Sequence, residues 1–449
     1  MNKNTKEEIK IIPFLKFLIP SLLGVLFFMV PFKINGEITI PVAYLSNLFV
    51  NALEEYLPLM ATILITISAV GGILFKFIKT ENKVFNSLFS TTTGWLIARV
   101  IGMILVIMSY FKFGPEFIWS ADTGNFILHD LLPVLISVFL FAGFFLPLLL
   151  NHGLLEFVGA LFTKIMRPLF KLPGRSSIDC ITSWLGDGTI GILLTSKQYE
   201  EGFYTKKEAS IIGVSFSAVS ITFSLMVISQ VGLAHMFLPF YFTVTVAGIL
   251  AAIIISRIPP LSKKPNTYID GSYPKEDVDV IPKDYSSFSW GIKTAVEKAE
   301  NSFNLKKFFF DGVRNILDMW IGVLPIVMAF GGIALIIAYH TKVFQILGLP
   351  FIPLLELLRV PEAVQASQSL VVGFADMFIP SVLAASISND MTRFIIASVS
   401  VTQLIYLSEV GGLLLGSKIP VGLKDLIIIF IQRTIITLPI IVLLANIFF

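Results

Sequence analysis

Long, continuously apolar runs govern what this chain can become. Leu57 to Phe75, Leu238 to Ile255 and Leu426 to Phe449 each reach the roughly 20 residues that an α-helix needs to cross a bilayer. The strands of an outer-membrane barrel would alternate apolar with polar residues; these runs do not alternate, so they predict helices. Over 449 residues, 55% are hydrophobic and only 14% are charged, too few charges to cover a soluble domain. The fold class expected is an all-α polytopic membrane protein.

Nine spans are expected, at 17–32, 57–75, 91–110, 131–150, 208–231, 238–256, 312–338, 391–414 and 422–448. Two further segments, 175–197 and 362–388, are rich in Gly, Ser and Asp and flanked by prolines. They are too polar for a full span and too apolar for a surface loop. Such backbone is tolerated in a membrane only where neighbouring helices bury it or it lines a wet cavity, so they read as re-entrant helical hairpins.

Basic residues of short loops orient the chain. Lys76, Lys79 and Lys83, the group Lys164, Arg167, Lys171, Arg175, Lys197, Lys206 and Lys207, then Arg257, Lys263, Lys264, Lys418 and Lys424 fall on one side. Lys3, Lys6, Lys10 and Lys16 precede the first run on that same side. The opposite loops are poorer, with Lys33 and Lys112, although Lys342, Arg359 and Arg393 run against the trend. The N-terminus is therefore expected in the cytoplasm and the C-terminus outside, in a cell inner or plasma membrane. By this count the first hairpin enters from inside and the second from outside.

The chain also matches itself at an offset of about 190 residues. Leu132-Pro133-Val134-Leu135 recurs as Leu324-Pro325-Ile326-Val327, and Lys171-Leu172-Pro173 as Arg359-Val360-Pro361. Trp184-Leu185-Gly186-Asp187 corresponds to Gly373-Phe374-Ala375-Asp376, and Ser229-Gln230-Val231-Gly232 to Ser408-Glu409-Val410-Gly411. Each half reads helix, linker, hairpin, helix, helix, starting on opposite sides. Four regions follow: a three-helix region at 1–128, a first repeat at 129–256, a cytoplasmic loop at 257–308 and a second repeat at 309–449. Inverted repeats with interrupted helices are the usual build of secondary transporters, with substrate held near the midplane.

Leu-Pro-Gly-Arg at 172–175, Trp-Leu-Gly-Asp-Gly-Thr at 184–189, the serine-rich stretch Val214-Ser215-Phe216-Ser217-Ala218-Val219-Ser220 and the second-half echoes together resemble the nucleoside-recognition, or Gate, domain membrane proteins of the YjiH type. The resemblance covers about residues 130–449. It extends more distantly to concentrative nucleoside transporters and to the sporulation proteins SpmA and SpmB. It implies two hairpins and two unwound helices converging on one substrate site. Neither hairpin carries the Gln or Glu-Ser signatures of nucleoside recognition, so both a nucleoside-like and an amino-acid- or peptide-like cargo are consistent with it.

Asp187 and Asp376 occupy matching positions of the two hairpins. An intramembrane carboxylate is costly unless paired, protonated or cation-bound, so both are candidates for substrate and for a coupling Na+ or H+. Either could instead cap a half-helix N-terminus. Gly186 and Gly188 suit a tight bend beside Asp187, with Thr189 following. Ser215, Ser217 and Ser220 lie in the helix after the first hairpin; Ser398, Ser400, Thr402 and Gln403 lie in its counterpart. Such groups can bind substrate where a helix unwinds, or serve helix–helix packing. Glu409, aligned with Gln230, is a further coupling-ion candidate.

Enzymatic patterns fail. His129, His152, His235 and His340 lack metal-ligand spacing, and the single cysteine, Cys180, excludes an intrachain disulfide and a thiolate cluster. Gly213 to Ser217 lacks the closing glycine of a nucleophile elbow, and Gly411 to Lys418 is not a P-loop. No resident cofactor is expected. The partners expected are a small-molecule substrate and the lipid bilayer, with a homo-oligomer compatible and no nucleic-acid signal in a net charge of +3. Transport of a small polar metabolite by alternating access is the leading expectation. The alternative is a non-transporting membrane scaffold or assembly factor acting with a partner protein.

Overall fold

A computed structural model describes residues 11–449 except 31, 35–36, 78–84, 86–87, 186–187, 218, 220, 275–280, 283 and 301–304. Lys3, Lys6, Lys10, Lys79, Lys83, Gly186, Asp187 and Ser220, singled out above, lie outside the described residues.

The molecule is built of helices, with one two-stranded ribbon. Helix α1 (Ile11–Met29) leads into the antiparallel strands β1 (Phe32–Ile34) and β2 (Glu37–Thr39), paired Phe32 to Thr39. Then come α2 (Pro41–Leu53), α3 (Leu57–Phe77) and α4 (Thr93–Phe111). The next group is α5 (Leu132–Leu150), α6 (Leu154–Phe170), the helical pair α7 (Ser176–Leu185) and α8 (Gly188–Glu200), α9 (Lys206–Ser215), α10 (Ile221–Gln230) and α11 (Phe237–Ile255). After α12 (Ser287–Glu300) the same order recurs. It comprises α13 (Leu305–Gly322) and α14 (Leu324–His340), short α15 (Val343–Gly348) and α16 (Ile352–Leu357), the pair α17 (Ala363–Leu370) and α18 (Ile379–Ala384), α19 (Asp390–Gln403), α20 (Val410–Gly416) and α21 (Leu423–Phe448).

Seven of the described helical stretches are long and apolar enough to cross a membrane: Ile11–Met29, Leu57–Phe77, Thr93–Phe111, Glu116–Leu150, Ala234–Ile255, Lys306–His340 and Leu423–Phe448. The segments 208–231 and 391–414 are each divided into two shorter helices, which is why they are not among the seven. Several helices go beyond the spans read from sequence, α6 and α2 among them. α6 carries Glu156, Lys164 and Arg167 on one face, too many charges for a span, and packs its apolar face on α12. α2 begins with Pro41, whose fixed φ suits a first helical turn.

Small residues let the long helices approach closely, as membrane helices require. Asn315 Nδ2 donates to the Gly143 carbonyl at 3.3 Å, and Trp320 Nε1 to the Ile136 carbonyl at 3.1 Å. As one helix is followed forward its contacts run backward along the other, so α5 and α13 are antiparallel. The last helices of the two groups are antiparallel as well. Gln432 Nε2 donates to the Pro259 carbonyl at 2.6 Å near the end of α11, while Phe240 at its start reaches the end of α21 through Phe394 and Phe448.

Candidate functional site

Asp179 makes the first helical pair a unit. Its carboxylate, wholly buried in α7, accepts hydrogen bonds from Thr195 Oγ1 at 3.0 Å and Gln198 Nε2 at 2.6 Å, both on α8. Gly191 lies against Ser183 so tightly that any side chain there would collide with its Oγ. Gly188 and Thr189 open α8 and are buried. The base of this pair lies beside the start of α9: Arg175 pairs with Glu156 at 2.9 Å and stacks on Phe203, and Arg167 pairs with Glu208 at 2.7 Å.

The second pair, α17–α18, bends through Val371–Phe378. Its base sits at the other end of the α9–α10 rod. Thr392 Oγ1 donates to the Pro361 carbonyl and the Asn389 amide to Glu362, while neighbouring Arg393 donates to the Val231 carbonyl at 2.9 Å, just past α10. The bases of the two helical pairs thus lie at opposite ends of α9–α10.

Phe216, Ser217 and Val219 of the first interruption and Leu404 to Ser408 of the second are buried, so their backbone groups must be satisfied from elsewhere. Past α19, Leu404 takes a left-handed φ of 59° and the chain leaves the helix until a turn at 407–409 leads into α20. There the second bend supplies the missing partners: the Leu407 amide donates to the Phe374 carbonyl at 2.8 Å and the Ser408 amide to Ala375 at 3.0 Å. Asp376, half-buried, seals the contact. Its Oδ2 accepts from Ser408 Oγ at 2.7 Å, and its Oδ1 accepts from the Phe378 amide at 2.8 Å, at the entrance to α18. Asp376 therefore caps a half-helix and grips the unwound strand at once.

Gln403 ends α19, wholly buried; its Nε2 donates to the Leu370 carbonyl at 2.9 Å and to Thr434 Oγ1 at 2.8 Å, and its Oε1 has no partner. Thr402 bonds its hydroxyl back to Ser398 and Val399, Ser400 to Ala397, and Ser217 to Gly213. Those three hydroxyls are spent on their own helices, the packing role open to them from sequence. Ser215 and Ser398 are different: their hydroxyls are buried and unpartnered. Glu409 is half-buried at the start of α20, its carbonyl accepting from the Leu413 amide at 2.8 Å.

Arg433, not among the sequence candidates, is the centre of the arrangement. It lies within the apolar helix α21 and is 0% exposed. Its Nε donates to the Thr402 carbonyl at 2.8 Å and its Nη1 to the Val214 carbonyl at 3.3 Å. These carbonyls belong to the final turns of α19 and α9, where a broken helix leaves acceptors without amide donors. One cation thus joins the ends of both half-helices, where the helix dipoles favour positive charge. Beside it a cavity of about 20 Å³, room for one water, is lined by Trp184, Ser215, Ser224, Tyr241, Thr402 and Arg433 among others. The structure brings Ser215 and Thr402 to this cavity, and Gln403 and Asp376 into the adjoining polar layer. A lone arginine inside an apolar run was the sequence signal for this centre.

Over residues 132–234 the chain matches the family model Gate, described as nucleoside recognition. That stretch holds α5, the first hairpin and the broken helix α9–α10. The chain is also 50% identical over 439 residues to an uncharacterized protein of Alkalihalophilus pseudofirmus, an alignment covering 97% of this chain and 95% of that one. Its apolar helices and this match together make the chain a multi-pass membrane protein that belongs to the nucleoside-recognition (Gate) domain family.

Proposed function

We propose that this protein is a secondary transporter that carries a small polar metabolite, nucleoside-like or amino-acid/peptide-like, by alternating access. The observation that carries the reading is the pair of hairpins based at opposite ends of the α9–α10 rod, each directed at a buried helix break. Antiparallel packing of α5 with α13, and of α11 with α21, supports two repeats of opposite topology, 129–256 and 309–449. Nine spans and two re-entrant hairpins follow if the broken helices α9–α10 and α19–α20 each cross once, with the N-terminus cytoplasmic and the C-terminus outside. Satisfying an unwound buried backbone through a second element is costly as mere scaffolding, whereas polar links between the halves, such as Arg433 to the Val214 carbonyl, are contacts that alternating access can remake.

In this reading substrate sits between the hairpin bends and the two breaks. Asp187, Gly186, Gly188, Thr189, Ser215, Ser217 and Ser220 contribute from the first half, Asp376, Ser398, Ser400, Thr402 and Gln403 from the second. Asp187, Asp376 and Glu409 are the places for a coupling Na+ or H+. The test is uptake and exchange of a broad metabolite panel by proteoliposomes. Saturable exchange lost in Asp376→Ala is expected; no exchange of any compound, with a stoichiometric protein partner co-purifying, would replace transport by the scaffold alternative. Single cysteines in a Cys180→Ser background, placed at 173 and 361, should label from opposite faces. Labelling from one face removes the inverted arrangement.

A further inference from the structure

Arg433 is a wholly buried cation in an apolar helix, yet among the described residues no carboxylate pairs with it. An arginine fork carries five N–H donors. The half-helix carbonyls of Thr402 and Val214 take Nε and Nη1, while Nη2 has no partner. Those carbonyls are neutral acceptors whose dipoles lower the cost of the charge in an empty site; they leave the outer edge of the fork unused.

The cavity that Arg433 lines is bordered by two more idle groups. Ser215 Oγ and Ser224 Oγ are both buried, both without a hydrogen-bond partner, and both on its wall. Three unused polar atoms from three helices, α9, α10 and α21, therefore surround one small void. Buried polar groups are paired as a rule, so three idle ones at one place mark a site for something that accepts hydrogen bonds.

The architecture itself does not demand an arginine there. α11, the last helix of the first group as α21 is of the second, holds no charged residue between Phe237 and Ile255. A cation needed only to close broken helices would be expected in both groups. Nor is a larger cavity, about 720 Å³ at the base of the first hairpin, a comparable centre: its Arg167 and Arg175 are already paired with Glu208 and Glu156.

We infer that Arg433 binds an anionic group of the transported molecule, a carboxylate or a phosphate, with Ser215 and Ser224 as hydroxyl partners. This deepens the transport reading and rests on it. A planar fork offers two parallel donors to a carboxylate or phosphate, a geometry lysine lacks. With room for a single water, the cavity is closed in this structure; Trp184, at the end of the first hairpin's leading arm, forms part of its wall and must withdraw to admit ligand.

The test is a thermal-stability panel on the purified full-length protein with pairs that differ by the presence of an anionic group: nucleoside against nucleoside monophosphate, N-acetylated amino-acid amide against N-acetylated amino acid, diester against dicarboxylate, plus inorganic phosphate alone. Stabilisation by the anionic members only is expected, weakened about ten- to hundredfold in Arg433→Gln and less in Arg433→Lys. Ser215→Ala with Ser224→Ala should weaken the same ligands with little change in unliganded stability, and this variant decides the matter if Arg433→Gln does not fold. Neutral members stabilising the protein as well as their anionic partners would overturn the anion assignment while leaving transport standing. Anions that bind Arg433→Gln, or the double serine variant, as tightly as the parent would overturn it too. Silence across the panel together with no exchange in proteoliposomes would overturn both readings.

Discussion

Asp376 holds Ser408 at 2.7 Å across the gap between the second hairpin bend and the unwound stretch that follows α19. With the two backbone bonds beside it, this contact lets a buried, non-helical segment stand without exposing its amides. A hydrogen bond to a charged acceptor contributes about 1.5–3 kcal/mol. Asp376→Ala should therefore lower thermal stability by that order, Ser408→Ala by less, and the double variant by less than the sum. Full additivity in that cycle would mean the side chains do not couple the bend to the break.

Asp179 should prove as important to the first helical pair. Its loss in Asp179→Ala strands the Gln198 amide in the interior, at about 1–3 kcal/mol, while the Thr195 hydroxyl keeps the Gly191 carbonyl. The neighbouring Cys180, the only cysteine of the chain, is buried and reports on this directly. Maleimide labelling of the folded parent should be slow and limited by opening of the α7–α8 pair. In Asp179→Ala it should rise about thirtyfold, the equivalent of about 2 kcal/mol. An unchanged labelling rate would show that the arms are held by packing alone.

At the start of α9, Glu208 serves two masters. One oxygen closes a capping box with Thr205, accepting from its amide at 3.0 Å, while the other pairs with Arg167, whose side chain is 40% exposed. An exposed ion pair contributes about 0–1 kcal/mol and a cap about 1 kcal/mol. Glu208→Gln, which keeps an acceptor for the cap, should cost less than Glu208→Ala. The gap between parent and Glu208→Gln should narrow as salt is raised, which unfolding at two ionic strengths would check.

The long spans were legible because lipid permits few alternatives to about 20 apolar residues in a helix. The polar interruptions read at 175–197 and 362–388 coincide with the helical pairs α7–α8 and α17–α18. The exact points of unwinding were not legible. Family resemblance implied two unwound helices, yet Phe216-Ser217 and Leu404-Ile405-Tyr406-Leu407 contain no glycine or proline to mark a break. Their partners are remote in sequence: Arg433 reaches Val214 across 219 positions, and Phe374 and Ala375 supply the carbonyls for the other break. Breaks imposed by tertiary contacts leave no local signature. The same remoteness hid Arg433 itself, which in sequence is one charge in a run of apolar residues. Among the serines, sequence could not separate hydroxyls bonded to their own helix, as at Ser217 and Ser400, from the idle one at Ser215.

The first three long helices carry no motif, and their packing gives them a mechanical part. Ser68 on α3 donates to the Ile321 carbonyl at 2.6 Å, and α4 runs along α14 with Gly102 pressed on Pro325. The second and third of them thus brace the junction of α13 and α14. A methyl at Gly102 would stand 2.2 Å from the Pro325 carbonyl oxygen, a backbone atom that can yield only if the two helices part. Gly94, in the same helix, has nothing within 4 Å of the same position. Gly102→Ala should therefore lower stability by about 1–3 kcal/mol, as overpacking does, while Gly94→Ala should be neutral or stabilising by up to about 1 kcal/mol through helix propensity. Thermal unfolding in one detergent separates the two. Equal shifts would mean that α4 is free to move away from α14, and the first helices would then be a passive appendage rather than a brace.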